Sequence, residues 1–189
     1  VVIELKNCVD EIGYYDLGAS TRKIAAGKTL IVKAYGNNTP KVYGALIASS
    51  GSKKLDEILV ENISFVGNGG SNESAAPLFT NSRDTFEIVT FKNCSFTELA
   101  DPIARMRGGN AYIGTLTYEG CTIKDKLTGQ HTFILNQASH TLKNFVLKEN
   151  VFDNYQGKQF MQFANMAQTS DSVLNVTVEH NTFHNFYNG

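Results

Sequence analysis

Arg105 and Arg107 stand two residues apart in "DPIARMRGG" and therefore share one face of any strand that runs through them. Burying two guanidinium groups is costly, so that face is expected to point outward, with Ala104 and Met106 pointing in. A guanidinium grips a carboxylate through two parallel hydrogen bonds, which suits such a pair to an anionic ligand such as a uronate sugar. The competing reading is a surface ion pair with Asp84, Asp101 or Glu98.

Other reactive side chains are sparse. His131 and His140 stand singly, as surface histidines commonly do, and Asp101 and Asp125 are isolated in polar stretches. Cys8, Cys94 and Cys121 have no metal-ligand spacing. A formal net charge of -1 and a pI near 6.5, without any run of Lys and Arg, argue against a nucleic-acid partner. No apolar run approaches the roughly 18 residues of a membrane span. The start, "VVIELKNC", lacks Met and already reads as a strand, so the 189 residues are expected to be one domain cut from a longer chain. Whether a secretion signal was removed stays open.

What positions these residues is a repeat. "VENISF", "FKNCSF", "YEGCTI", "LKENVF" and "VEHNTF" end at Phe65, Phe96, Ile123, Phe152 and Phe183. Five residues before each end stand Val60, Phe91, Tyr118, Leu147 and Val178, and seven before stand Ile58, Val89, Leu116, Phe145 and Val176. Two fainter copies lead to Asp10 and Asn37, so successive ends are 27, 28, 31, 27, 29 and 31 residues apart. An apolar pattern returning at this period predicts stacked coils, each covering its neighbour, and about seven of them. Alternation within each copy predicts strands, stacked in parallel about 4.8 Å apart.

Three columns have further consequences. Asn62, Asn93 and Gly120, three before the end, suit a left-handed corner. Two before the end stand Cys94, Cys121, Asn150 and Asn181, so Cys94 and Cys121 come close enough for a disulfide, though stacked cysteines more often stay as buried thiols, and Asn side chains can bond from coil to coil. Four before the end stand Lys6, Lys33, Glu61, Lys92, Glu119, Lys148 and Glu179, whose signs alternate from Glu61 onward, as a solvated register-setting ladder would.

The spacing "LKNFVLKENVF" also fits a leucine-rich repeat, but Leu fills few apolar columns and the return segments "PLFTN", "TFILNQ" and "QFMQFAN" read as strands, not helices. The better match is a resemblance. "AAGKTLIVKAYGNNTPKVYGALIASS" with "LDEILVENISFVGN" resembles the opening coils, and "VTVEHNTFHN" the generic repeat, of the pectate-lyase-like superfamily of right-handed parallel β-helices. The likeness covers nearly the whole chain and is nearest in kind to β-helix domains of bacterial secreted and surface proteins.

The resemblance implies an all-β fold and a substrate groove on the outer face of strands at 78–81, 103–107, 133–137 and 160–163, beside loops at 66–76, 97–102, 124–131 and 153–158. It places Thr80, Leu135 and Gln162 beside the arginines, with Phe133 and Phe160 slightly earlier, so that amides bind sugar hydroxyls and rings stack on sugar faces. It also implies what a lyase needs: a Lys or Arg base, often with Ca²⁺ held by several carboxylates. The groove strands carry no Lys and no Ca²⁺ cluster, nor the facing carboxylates of a glycosidase. The expectation is therefore a secreted or cell-surface module for an acidic polysaccharide, needing no cofactor, with Arg105, Arg107, Thr80, Gln162, Phe133 and Phe160 as contacts. Lyase-like β-elimination stays open as its possible chemistry, and a structural spacer or adhesin stalk is the alternative.

Overall fold

The computed structural model describes residues 1–7, 15–16, 27–43, 46–48, 54–67, 76–80, 83–100, 102–106, 109–126, 131–135, 140–156, 159–163 and 174–186. In chain order the strands are β1 (Val2–Leu5), β2 (Tyr15–Asp16), β3 (Thr29–Ala34), β4 (Lys41–Tyr43), β5 (Ile47–Ala48), β6 (Lys54–Glu61), β7 (Ser64–Val66), β8 (Leu78–Thr80), β9 (Thr85–Lys92) and β10 (Ser95–Thr97). They continue with β11 (Ala104–Met106), β12 (Tyr112–Glu119), β13 (Thr122–Lys124), β14 (Phe133–Leu135), β15 (Thr141–Lys148), β16 (Val151–Tyr155), β17 (Met161–Phe163), β18 (Asn175–Glu179) and β19 (Thr182–Phe186).

They form three sheets, all parallel. The first runs β1-β3-β6-β9-β12-β15-β18, the second β2-β4-β7-β10-β13-β16-β19 and the third β5-β8-β11-β14-β17. The chain visits the three in turn, which is a parallel β-helix, and the described residues contain no helix. A leucine-rich repeat, with one sheet and helical returns, is thereby ruled out. Five rungs carry all three strands, while the first and last carry two among the described residues.

The apolar columns fill the interior. Ile58, Val89, Leu116 and Phe145 are completely buried, as are Val60, Phe91, Tyr118 and Leu147. Parallel stacking puts like over like: Phe65 lies flat on Phe96 at 5.0 Å, Phe91 on Tyr118 at 4.9 Å and Phe152 on Phe183 at 4.9 Å. Edge-to-face contacts, such as Tyr118 to Phe133 at 5.1 Å, knit the sheets together.

The corner after each long strand is left-handed, with φ of 57° at Asn62, 51° at Asn93, 63° at Gly120, 57° at Glu149 and 54° at His180. Asn and Gly accept this geometry readily, whereas Glu149 and His180 are held in it by the stack. One residue pair between rungs then depends on side chains. Asn181 Nδ2 donates to the Leu147 carbonyl at 2.8 Å and Asn150 Nδ2 to the Tyr118 carbonyl at 2.9 Å. One and two rungs earlier the same job falls to sulfur, with Cys121 Sγ on the Phe91 carbonyl at 3.4 Å and Cys94 Sγ on the Val60 carbonyl at 3.5 Å.

The early coils depart from the expected columns. Ile3 pairs with Val32, two residues out of the expected phase, and Val42 rather than Asn37 pairs with Phe65. The second displacement comes from a longer corner in the second rung, where Gly36 turns left-handed; Asn7 ties the first rung to this corner, its Oδ1 accepting from Thr39 N at 2.8 Å and its backbone N–H donating to Asn38 Oδ1 at 3.1 Å. Cys8 and Asp10 lie outside the described residues.

This shift improves the charge ladder. Glu4, not Lys6, faces Lys33, at 3.2 Å, while Lys6 lies over the Tyr35 ring. Through the pairings Glu4–Lys33–Glu61–Lys92–Glu119–Lys148–Glu179 the sign alternates on every rung. Reversing Glu119 to Lys sets three cations in a row and is expected to destabilise by less than about 1 kcal/mol, because the ladder is partly solvated. Urea unfolding at low salt checks this; a gain in stability would mean the column does not act as a ladder.

Candidate functional site

The third sheet carries the residues singled out by the sequence. From β8 to β17 its strands are three residues long where the long strands β6, β9, β12 and β15 have eight, and β8 and β14 are buried throughout. In β11, Ala104 and Met106 face the core and are fully buried, and Arg105 points the other way, as expected. Arg107 lies outside the described residues.

Register decides which neighbours Arg105 has. Phe79 and Ile134 are its partners on the adjoining rungs, and Gln162 follows Ile134. Thr80 aligns with Met106 and is fully buried, and Leu135 is likewise inside. Both therefore belong to the opposite phase from the one expected, a one-residue error that exchanges inner and outer faces. Phe133 aligns with Ala104 and is fully buried, with Tyr118, Phe145 and Phe160 around its ring at 5.1, 5.1 and 5.6 Å. Phe160 packs edge-on to Phe152 at 4.9 Å. Neither ring is presented for stacking on a sugar, so of the six expected contacts Arg105 and Gln162 stay together on the outer column.

That column is not an open trough. Phe79 and Ile134 retain only 8% and 3% of their surface, and the Arg105 Nε and Nη1 atoms are shielded from solvent. Arg105 is half-buried, so its charge works in a medium less polar than water, where a carboxylate would be held more strongly than at an open surface.

A buried cation went unnoticed in the sequence. Lys126 is 1% exposed and its Nζ donates to the Leu99 carbonyl at 2.8 Å and the Ala100 carbonyl at 3.0 Å, tying two successive rungs together at the corner before the third sheet. In "TIKDKLTG" nothing distinguishes it from Lys124, which is exposed. His140 is buried at the start of β15 and Asp84 at the start of β9, both at corners rather than on the outer face of the third sheet. Asp125 and Asp153 are engaged with Asn154 at 2.6 Å and Asn185 at 3.0 Å. Among the described residues no group of three or more His, Cys, Asp or Glu could hold a metal ion. No described helix is long and apolar enough to cross a membrane.

Cys94 and Cys121 are free thiols inside the stack. Burial first, and then the Cys121 thiol beside it, pushes the Cys94 thiol far above the ordinary range, so it is not a nucleophile at neutral pH. Tyr118 is completely buried, its hydroxyl has no hydrogen-bond partner, and burial raises its pKa well above 10.0. Tyr118→Phe is accordingly expected to stabilise by about 1 kcal/mol at pH 7, since an unsatisfied hydroxyl is removed. Above pH 10 the advantage should widen: an unfolded Tyr118 ionises there while the folded one cannot, so the parent loses stability as pH rises. Urea unfolding of both proteins from pH 7 to 10.5 tests this, and a loss of stability in the variant at pH 7 would show that the hydroxyl is satisfied in solution.

No family model, curated protein or solved structure matches the chain. The parallel β-helix therefore rests on the pairing of its strands, and function must be argued from the site.

Proposed function

We propose that the chain is a polysaccharide-interacting module of the pectate-lyase-like type, secreted or displayed on a cell surface, which recognises an acidic, uronate-containing glycan on the outer face of its third sheet. The observation that carries the reading is one column: Arg105, Ile134 and Gln162 lie opposite one another on successive rungs. Rungs in parallel register give a repeating polymer a repeating surface, with a guanidinium for the carboxylate and, two rungs on, an amide for hydroxyls. Binding rather than cleavage is favoured, because Arg105 is the one titratable side chain of that column among the described residues. β-Elimination would also need the acid to be neutralised.

A structural spacer is the second reading, favoured by the shielding of Phe79 and Ile134. Calorimetric titration with a polyuronate at low and moderate salt separates the two. The parent is expected to bind, more weakly as salt rises, and to ignore neutral glycans. Replacing Arg105 and Arg107 together with Ala should weaken binding about tenfold or more, and Arg105→Lys, which keeps the charge but loses the fork, should weaken it less. No binding by the parent, or equal affinity in the double variant, overturns the site and leaves the spacer. A 235 nm assay for unsaturated uronates reports on cleavage.

A further inference from the structure

The four long strands of the first sheet, β6, β9, β12 and β15, turn a second patterned face outward. Two rows run along it from rung to rung. One is the charge ladder, here Glu61, Lys92, Glu119 and Lys148, and beside it Leu59, Thr90, Thr117 and Val146 present methyl groups. Both rows are half-buried, and Ile88, two residues before Thr90, is 44% exposed. The ladder is not closed within the chain. Lys33 pairs with Glu4 at 3.2 Å and Lys148 with the corner residue Glu149 at 3.9 Å, but among the described residues Glu61, Lys92 and Glu119 form no ion pair.

An alternating row of charge is complementary to itself when turned end for end. A two-fold axis that lies along the strands, between β9 and β12, brings a second copy face to face with its coils running the other way. Each column then meets itself, β9 against β12 and β6 against β15 of the second copy. Lys92 faces Glu119 and Glu61 faces Lys148, so every one of these charges meets its opposite. The neighbouring columns agree with the same axis: Leu59 meets Val146, Ile88 meets Thr115, and Asp56 meets Lys143. Glu87 falls opposite Gly114, which has no side chain. Other placements fail. An axis passing through a strand sets like charge against like along the whole ladder, and an axis between β6 and β9 puts Ile88 on Glu57. Turning the second copy about the stack direction instead sets Glu61 against Glu57.

We infer that the outer face of the first sheet is a self-association surface, on which a second copy of this chain docks in antiparallel two-fold register selected by the charge ladder. Four strands about 4.8 Å apart, each eight residues long at about 3.3 Å per residue, make a face of about 500 Å² per copy. The pair buries about 1,000 Å², near the lower bound for a specific interface, so the dimer is a weak one. The surface lies in the middle of the stack and leaves the third sheet uncovered, so it does not depend on the glycan reading.

Sedimentation equilibrium at low salt is expected to show monomer and dimer in exchange, with a dissociation constant on the order of ten micromolar. Raising salt to about 0.5 M should weaken the dimer about fivefold. Glu119→Lys and Lys92→Glu should each self-associate at least about tenfold more weakly than the parent, because each sets like charges in both symmetry-related contacts. Circular dichroism matching that of the parent establishes the fold of each variant. Mixed together, the two variants should pair with about the affinity of the parent. Lys92 of the first then meets the Glu119 retained by the second, and the two substituted positions meet as opposite charges. A parent that stays monomeric at about 200 µM, single variants that self-associate as the parent does, or a mixture no tighter than its components overturns the inference.

Discussion

Gly67→Ala is expected to destabilise the protein by at least about 3 kcal/mol, the largest effect of a methyl added at any described glycine. Gly67 follows β7 at the corner into the third sheet, and its N–H donates to the Thr97 carbonyl of the next rung at 2.9 Å. A Cβ there would lie 1.8 Å from the Glu98 carbonyl oxygen and 2.7 Å from its carbon, both backbone atoms of that next rung. No rotamer relieves such a contact, so the rungs must part, and the hydrogen bond and the adjoining Phe65–Phe96 stack are strained with them. Gly109→Ala is the control: nothing lies within 4 Å of a Cβ at that position, and the change should stay within about 0.5 kcal/mol. Urea unfolding of both variants is the measurement. A Gly67→Ala midpoint close to that of the parent would mean that the corner is not packed against the rung above it.

Asn150→Ala should cost about 3 kcal/mol. The side chain is 1% exposed and fully engaged: Oδ1 accepts from Cys121 N at 2.8 Å, while Nδ2 donates to the Tyr118 carbonyl and to Asn181 Oδ1, each at 2.9 Å. Truncation strands the buried Cys121 N–H and opens a space at the corner, and both losses fall on the same three rungs. Asn150→Cys should cost at least about 1 kcal/mol less than Ala, because a thiol at this position donates to the previous rung, as Cys94 and Cys121 already do. Equal destabilisation by Ala and Cys would show that sulfur contributes nothing to these corners. The comparison also bears on why cysteine occurs in this column: it is small, buried and still able to donate.

The amino-acid sequence by itself determined the stacking. Its long strands lie between a filled core and solvent, so inward apolar residues alternate with outward Thr, Lys and Glu, and one alternation repeated on successive coils fixes both strand and register. The left-handed corners at Asn62, Asn93 and Gly120 followed from the same columns, because few residues accept that backbone. Tertiary structure decided what an ungapped column could not. The longer corner around Gly36 displaced the second strand of the second coil, and the pairing of Val2–Leu5 with Ile31–Ala34 moved the ladder's first member from Lys6 to Glu4. It also decided the phase of the third sheet. Leu78, Phe79 and Thr80, like Phe133, Ile134 and Leu135, are buried on both faces, so their residues carry no alternation by which inside could be told from outside. Only pairing with neighbouring rungs brought Phe79, Arg105, Ile134 and Gln162 into one outer column and sent Thr80 and Phe133 into the core. The same holds for Lys126, whose burial depends on carbonyls supplied by a rung 26 and 27 residues earlier. A strand in contact with solvent on one side reveals its phase in its own residues, and a strand covered on both sides acquires it from its neighbours.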